Sequence, residues 1–243
     1  HLVIRRQRQM CIRDSNTPTG GDMGAHIVAI DTFIKDFMPN FQINGWSNDW
    51  FGGYPLYYFY FPLPAIITFF LNLIFPFGIA FKIMVVLSII LVVYSIEKLM
   101  RKTSNQISIY GATAGLFYVF TESFTIYGGN LASTLAGQFS FGYSLAFANL
   151  SIFYLLKSNN NFRFPISSIF LASCLLSHLI PFIIYSPIYA FYWLSRKQNF
   201  NQKILSISIF LALVSRWSAS LIMNLEYTTN MSYTPFSRVE DLI

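Results

Sequence analysis

A carboxylate set among glycines stands near the start of this sequence. Asp22 lies in the run Gly20 to Ala25, and His26 follows it by one helical turn. Glycines let a substrate or a metal ion approach the backbone closely, and a carboxylate there can act as a general base or a metal ligand. The alternative is an Asp that caps the following helix by accepting its free N–H groups. The spacing leaves both interpretations of Asp22 open, and His26 is a substrate-binding candidate on a weaker signal.

A second carboxylate, Asp49, stands between Trp46 and Trp50. Two acids folded together could share a divalent cation or divide acid and base roles. Asp22 and Asp49 are therefore the catalytic candidates and together a candidate site for Mg²⁺ or Mn²⁺; the sequence identifies no other cofactor. The alternative for Asp49 is an Asx-turn ahead of Gly52.

A polar patch between two apolar segments supplies further candidates. Its amide, hydroxyl and carboxyl groups suit hydrogen bonding to a polyhydroxylated or phosphorylated ligand, and a polar loop with a helix cap would have the same composition. The substrate-binding candidates in this patch are Glu122, Tyr127, Asn130 and Gln138.

Two ionisable residues stand inside apolar runs, where an ionisable group is costly and is therefore a candidate for function. His178 could bind substrate, or it could satisfy carbonyls freed by a kink at Pro181. Arg216, beside Trp217, could hold a lipid phosphate, or it could be an error in the sequence.

The composition places these candidates in a membrane protein. Of the 243 residues, 54% are hydrophobic, 19% aromatic and only 11% charged, whereas a soluble domain carries about 25% charged residues. This balance excludes an ordinary cytosolic enzyme, and the aromatic content excludes a disordered chain. The lipid bilayer is therefore the first predicted partner.

The first fifteen residues have the character of foreign sequence. Residues 5–15 resemble the conceptual translation of a transposon-type sequencing adapter, so we expect residues 1–15 to be an assembly artefact rather than native chain. The alternative is a basic cytoplasmic tail. Without its four arginines and one aspartate the formal net charge falls from +6 to +3, and no nucleic-acid partner is implied. We then expect a fragment that begins in mid-frame and lacks an upstream span.

Apolar stretches with the length of membrane spans follow. We predict an all-α polytopic membrane protein with about six spans, at residues 79–99, 107–120, 139–156, 166–179, 181–194 and 204–223. Cytoplasmic loops carry the excess of Lys and Arg, so the face that collects the basic residues is predicted to be cytoplasmic, in a prokaryotic plasma membrane. Those basic residues are Lys98, Arg101, Lys102, Lys157, Arg163, Arg196, Lys197 and Lys203.

Residues 16–78 are predicted to form a large extracytoplasmic first loop. Apolar residues recur at helical spacing through 24–38, which predicts an amphipathic helix on the membrane surface. Residues 65–75 are apolar but short, so a second interfacial helix is expected there. The aromatic run Tyr57 to Phe61 suits the headgroup region. Residues 224–243 are polar and are expected to be an extracytoplasmic, truncated segment.

Taken in order, these motifs resemble a family of multi-spanning membrane proteins labelled "6-pyruvoyl-tetrahydropterin synthase-related". The resemblance covers residues 16 to about 233, and no cluster of zinc-binding histidines or soluble pterin-synthase pattern accompanies the label. The family is similar in layout to the GT-C class of glycosyltransferases. The matching motifs are Gly21-Asp22 with His26, Gly45-Trp46, Tyr54-Pro55, Phe59 to Pro64, Tyr127 to Asn130 with Gly137, Leu176-Ser177-His178 and Tyr227 to Met231.

This resemblance implies that Asp22 is the catalytic acid, with Asp49 and Glu122 secondary, and that the donor is a sugar on a polyprenyl phosphate. A single acid replaces the adjacent acidic pair of the GT-C pattern, and the fragment is expected to be inactive alone. The acceptor is unknown. Two other classes compete, a transporter or lipid flippase and a non-catalytic scaffold of envelope assembly. Catalysis requires Asp22 to face a cavity.

Overall fold

The computed structural model describes residues 18, 20–49, 52–101, 108–121, 128–157 and 163–228. The adapter-like residues 1–15 lie outside these ranges, as do Glu122, Tyr127 and most of the segment 224–243.

Within the described residues the chain is mostly helical, in agreement with the predicted all-α class. In chain order the longer helices are α1 (Met23–Thr32), α2 (Leu63–Asn72), α3 (Phe77–Arg101), α4 (Ser108–Val119), α5 (Phe139–Leu156), α6 (Arg163–Ser177), α7 (Leu179–Ser195) and α8 (Phe200–Met223). A turn of helix at Leu131–Ser133 and a π-helical turn at Thr134–Gln138 lead into α5, and a 3₁₀ turn at Leu225–Tyr227 follows α8.

In the described part of the chain three helical stretches are long and apolar enough to cross a bilayer: Phe77–Arg101, Leu131–Leu156 and Phe200–Met223. The chain is thus a helical protein with the features of membrane association. Helices α4, α6 and α7 are apolar but have only 12, 15 and 17 residues. At 1.5 Å per residue they reach about 18 to 25 Å, less than the roughly 30 Å hydrocarbon core of a bilayer. The six-span arrangement accordingly stays a prediction.

Helix α5 is the centre of the helical packing. The apolar stretch that contains it is 72% buried inside the protein, whereas the stretch in α8 is only 17% buried. Helices α3, α6 and α7 pack around α5, and small residues such as Gly142, Ser144 and Ala146 are buried on it. Small side chains let helix backbones approach closely in apolar surroundings. Helix α8 packs against α6 at the edge of this group.

The predicted amphipathic helix at 24–38 is three helical forms in succession. Helix α1 continues as a π-helical turn, Phe33–Phe37, and a 3₁₀ turn, Met38–Asn40. Its apolar side chains are covered by protein, since Ile30 and Phe37 are buried in a core shared with residues of α2 and α3. The second predicted helix, at 65–75, is observed as α2, which starts and ends two to three residues earlier.

A short antiparallel hairpin, which the sequence analysis did not predict, joins α1 to α2. Strands β1 (Gly45–Ser47) and β2 (Tyr54–Leu56) pair with Gly45 opposite Leu56. Gly45 is required because a Cβ there would lie 2.8 Å from the Phe37 ring. The hairpin brings the aromatic residues that follow it against α1.

The break predicted near His178 and Pro181 falls at His178. This residue has extended backbone angles between α6 and α7, and Pro181 lies in the first turn of α7. Proline is tolerated there because the first N–H groups of a helix have no intrahelical partner. The predicted segment 166–179 extends two residues beyond the end of α6 at Ser177, because His178 is the N-cap of α7.

Candidate functional site

A cavity of about 350 Å³ opens between α1, the loop after β2 and the bend that precedes α5. Four residues selected from the sequence line it together: Asp22, His26, Gln138 and His178. Its volume is at the small end of the range for small-molecule pockets. The remaining lining residues are Ala25, Ala29, Tyr54, Leu56, Tyr57 and Tyr60.

Asp22 is held at this cavity by its backbone. Its N–H donates to the Ala136 carbonyl at 2.8 Å, and Gly137 passes so close that a Cβ there would lie 2.9 Å from the Asp22 Cβ. Gly137 has φ +110°, a conformation that side-chain-bearing residues rarely adopt. The glycine bend before α5 therefore clamps the start of α1.

The Asp22 side chain does not cap α1, although Asp22 occupies the N-cap position. Its Oδ2 instead accepts a hydrogen bond from Gln138 Nε2 at 3.2 Å. The residue is exposed, which places the carboxylate at the open end of the cavity. This geometry favours the functional interpretation of Asp22 over the capping one.

His26 lies one turn further along α1, between two aromatic rings. The ring centroid of Phe139 is 4.8 Å away and that of Tyr60 is 5.6 Å away. Burial lowers the pKa of His26, and the Asp22 charge and a hydrogen bond to the Gly137 backbone only partly oppose this. His26 is therefore neutral at pH 7 and offers no positive charge to a ligand.

His178 reaches the same cavity from the start of α7. Its Nδ1 accepts a hydrogen bond from the Ile180 N–H at 3.2 Å, so it caps that helix. In the neutral ring the proton then resides on Nε2, which makes that atom a donor. The ring stacks on Phe61, with 5.3 Å between centroids. Capping and ligand contact are compatible here because they use different nitrogens.

Three tyrosines complete the cavity, and the sequence analysis did not select them. Tyr54, Tyr57 and Tyr60 were noted only in an aromatic run and in motifs of the family resemblance, yet all three line the space beside Asp22. Tyr57 is 3% exposed. Burial raises the pKa of Tyr60 to about 12, so its phenol stays protonated and neutral. They lie in a strand, a turn and a bend, so no single structural period relates them and their spacing offered no signal.

Asp49 lies away from the cavity. Its Oδ2 accepts a hydrogen bond from Thr32 Oγ1 at 2.9 Å, and its N–H donates to Ser47 Oγ at 3.3 Å. Asp49 thus contacts the last residue of α1, Thr32, whereas Asp22 precedes the first. The ten residues of that helix span about 15 Å at 1.5 Å each. Asp22 and Asp49 are not brought together as the metal site requires. In the described part of the chain no group of three His, Cys, Asp or Glu could hold a metal ion.

Asn130 and Arg216 also lie outside the cavity lining. Asn130 is buried, and its Oδ1 accepts from the Ser133 N–H at 2.8 Å, which makes it the cap of the short turn before the glycine bend. Arg216 is exposed on α8. The next residue, Trp217, donates from Nε1 to the Tyr60 carbonyl at 2.9 Å. Arg216 thus adjoins a residue that contacts Tyr60 but does not itself line the cavity.

No family model matches the chain, and comparison with curated proteins and with solved structures found no match either.

Proposed function

We propose that the protein is a GT-C-like membrane glycosyltransferase, with Asp22 as the base that activates the acceptor. The observation that supports this most is the position of Asp22, whose carboxylate stands at the open end of a cavity of small-molecule size. The cavity also offers neutral hydrogen-bonding groups, Gln138 and two imidazoles, in a shell of aromatic rings. Carbohydrate hydroxyls and ring faces suit such a lining.

In the proposed reaction the acceptor hydroxyl gives its proton to Asp22 while its oxygen attacks the anomeric carbon of the donor sugar. The bond between that carbon and the phosphate oxygen breaks, and its electron pair leaves with the polyprenyl phosphate. Asp22 then returns the proton to solvent. The hydrogen bond from Gln138 to Oδ2 fixes the carboxylate and leaves Oδ1 to receive the proton. No step requires a metal ion.

The lipid-linked donor accounts for the exposed Arg216. A guanidinium on α8 beside Trp217 lies outside the wall formed by Tyr60 and Phe61, where it can hold the donor phosphate while the sugar enters the cavity. We assign this face to the extracytoplasmic side of a prokaryotic plasma membrane. The six-span arrangement, in which α4, α6 and α7 also cross or partly cross the bilayer, belongs to the same proposal.

A non-catalytic scaffold is the alternative that one observation favours. Asp49 hydrogen-bonds to Thr32 and stays apart from Asp22, so the predicted acids do not all converge. Variants of Asp22 and of Asp49 therefore distinguish the two functions, because Asp22 faces the cavity and Asp49 makes a local contact.

The test is transfer of radiolabelled sugar from a panel of polyprenyl-phosphate donors in membranes that contain the natural gene product. Asp22→Asn should lower the transfer rate at least about a hundredfold, the scale for loss of a general base, with the protein still folded. Asp49→Asn is the matched control and should stay within a few-fold of wild type. Equal transfer by wild type and Asp22→Asn, or no transfer from any donor, would reject the proposal in favour of the scaffold.

A further inference from the structure

We infer that the cavity beside Asp22 binds a group that carries an ammonium charge. The assignment of this ammonium group to the enzyme's substrate rests on the proposed function. The lining combines one carboxylate with a set of aromatic rings, and among the described residues it contains no Lys or Arg. This combination selects by charge as well as by shape.

The charge of the lining excludes a phosphate as the main occupant. Among the described residues that line the cavity, Asp22 is the one acidic side chain and no Lys or Arg is present; burial lowers the pKa of His26 and raises that of Tyr60, which keeps both neutral. Charges within a few ångström of each other interact more strongly beside a protein surface than in bulk water. A phosphate would therefore be repelled, and a cation attracted, at the carboxylate.

Lys35, the cation that follows α1 in sequence, adds no positive charge to the cavity lining. Lys35 forms an ion pair with Asp31 at 2.6 Å, and its side chain is mostly exposed. It therefore lies on the solvent side of the helical segment and not in the cavity lining. Among the described lining residues the one acidic side chain is therefore Asp22, with no Lys or Arg beside it.

The rings supply the second half of an ammonium site. Tyr54, Tyr57 and Tyr60 line the cavity together with His26. The negative face of an aromatic ring attracts an ammonium group within about 6 Å, and cages of several rings recognise alkylated ammonium ligands. Tyr57 is buried whereas Asp22 is exposed, so the rings lie deeper and the carboxylate stands at the mouth.

The acceptors at the mouth fit an ammonium donor. Gln138 donates from Nε2 to Asp22, which leaves its own Oε1 as an acceptor on the same side. A carboxylate oxygen can accept two hydrogen bonds, so Asp22 Oδ2 is a second acceptor and Oδ1 stays available for the proton of the acceptor hydroxyl. An ammonium on a hydroxylated carbon skeleton could thus donate to both oxygens, while His178 Nε2 donates to a hydroxyl of the same molecule. An amino sugar and a small amino alcohol share this chemistry, and the test separates them.

The experiment measures binding of tetramethylammonium by saturation-transfer NMR, with the protein in uncharged dodecyl maltoside micelles. Neopentyl alcohol, a neutral molecule of similar shape, and inorganic phosphate are the comparison probes. We expect tetramethylammonium to bind and phosphate not to compete with it. Displacement by glucosamine but not by choline would indicate an amino sugar, and the reverse an amino alcohol.

Variants connect the binding to the cavity. Asp22→Asn should weaken tetramethylammonium at least tenfold, and Asp49→Asn, which removes a carboxylate outside the cavity, should leave it unchanged. Tyr60→Leu should weaken it several-fold, whereas Tyr60→Phe, which keeps the ring, should not. Equal binding of neopentyl alcohol, competition by phosphate, or an equal effect of both Asp variants would overturn the inference.

This outcome is independent of sugar transfer. Ammonium binding that depends on Asp22, without transfer from any donor, would reject the glycosyltransferase and keep the ammonium site. Transfer that depends on Asp22, with donors that carry only neutral sugars and without ammonium binding, would do the opposite.

Discussion

Two groups of polar side chains lie among apolar helices in this protein, and they have opposite roles. The first is the cavity beside Asp22, described above. The second, here called the hydroxyl cluster, is made of Ser167, Ser168, Tyr189, Trp193 and Ser206 on α6, α7 and α8. It borders a cavity of about 200 Å³ whose other walls are almost entirely apolar.

In the hydroxyl cluster the polar groups satisfy one another. Tyr189 OH lies 2.8 Å from Ser167 Oγ and 3.1 Å from Ser168 Oγ, and Ser206 Oγ contacts both Ser168 Oγ and the Trp193 Nε1. A buried polar group with a partner stabilises a fold modestly, and one without a partner is costly. The cluster therefore holds three helices together and leaves little for a ligand.

Beside Asp22 the arrangement is the reverse. The carboxylate accepts one hydrogen bond from Gln138, His178 keeps one ring nitrogen for the cavity, and the tyrosine rings face shared empty space. Polar groups that turn toward a cavity rather than toward each other indicate binding. A polar residue in an apolar sequence therefore indicates function when it keeps a hydrogen-bonding group that no other group inside the protein uses.

The largest effect that would sharpen this contrast is expected at Gly137. Gly137→Ala forces a side chain into a φ of +110° and places its Cβ 2.9 Å from the Asp22 Cβ. We expect a loss of stability of about 1–3 kcal/mol from backbone strain. Because the clamp on α1 is disturbed, we also expect at least a tenfold loss of ammonium binding and of any transfer activity. Thermal unfolding in micelles and the NMR assay measure the two.

Gly142 is the matched control for this substitution. It lies in α5 with helical geometry, and a Cβ there would meet Ser88 at an ordinary 3.5 Å. Gly142→Ala should therefore leave both stability and binding close to wild type. If Gly142→Ala and Gly137→Ala behave alike, the bend is not what positions Asp22.

A smaller effect, on stability alone, is expected in the hydroxyl cluster. Ser206→Ala removes the partner of the Trp193 indole and one of the two partners of Ser168, which keeps Tyr189. We expect a loss of about 1–2 kcal/mol, the cost of leaving a buried donor unsatisfied, with ammonium binding and transfer within twofold of wild type. A loss of binding in this variant would contradict the division between the two regions.

The local parts of this structure follow from the sequence. Helix α5 has the bounds of the apolar segment predicted at 139–156, because a charged residue closes it and an apolar run fills it. Asp22 and His26 were selected because glycines precede a helix and the two residues are one turn apart. Such signals involve neighbours in the chain, where spacing fixes geometry.

The parts that the sequence did not predict depend on distant residues. Asp49 was grouped with Asp22 because both are carboxylates of the same predicted extracytoplasmic loop, but Thr32 and Ser47 hold it about a helix length away. The three cavity tyrosines were missed because their role depends on the hairpin and on Gln138, more than 70 residues later in the chain. Asn130 was a substrate-binding candidate because of the polar composition of its loop, whereas its contacts make it a helix cap.

The smallest effect concerns the pH dependence of stability, which should distinguish the two regions through His26. Burial against Tyr60 and Phe139 lowers its pKa, while the Asp22 carboxylate and the Gly137 carbonyl, the other groups that face it, oppose this only in part. The unfolded state, with a His pKa near 6.5, then binds the proton more readily than the folded state. The contribution of His26 to stability is therefore fully present above about pH 6.5 and is lost as the pH falls from there toward the lowered pKa.

We expect the melting temperature of wild type to decline between pH 7 and 5, and His26→Gln to reduce that slope. Ser206→Ala should lower the melting temperature at every pH and keep the wild-type slope, because the hydroxyl cluster contains no group that titrates in this range. Parallel slopes for wild type and His26→Gln would show that the pKa of His26 is not lowered in the folded protein.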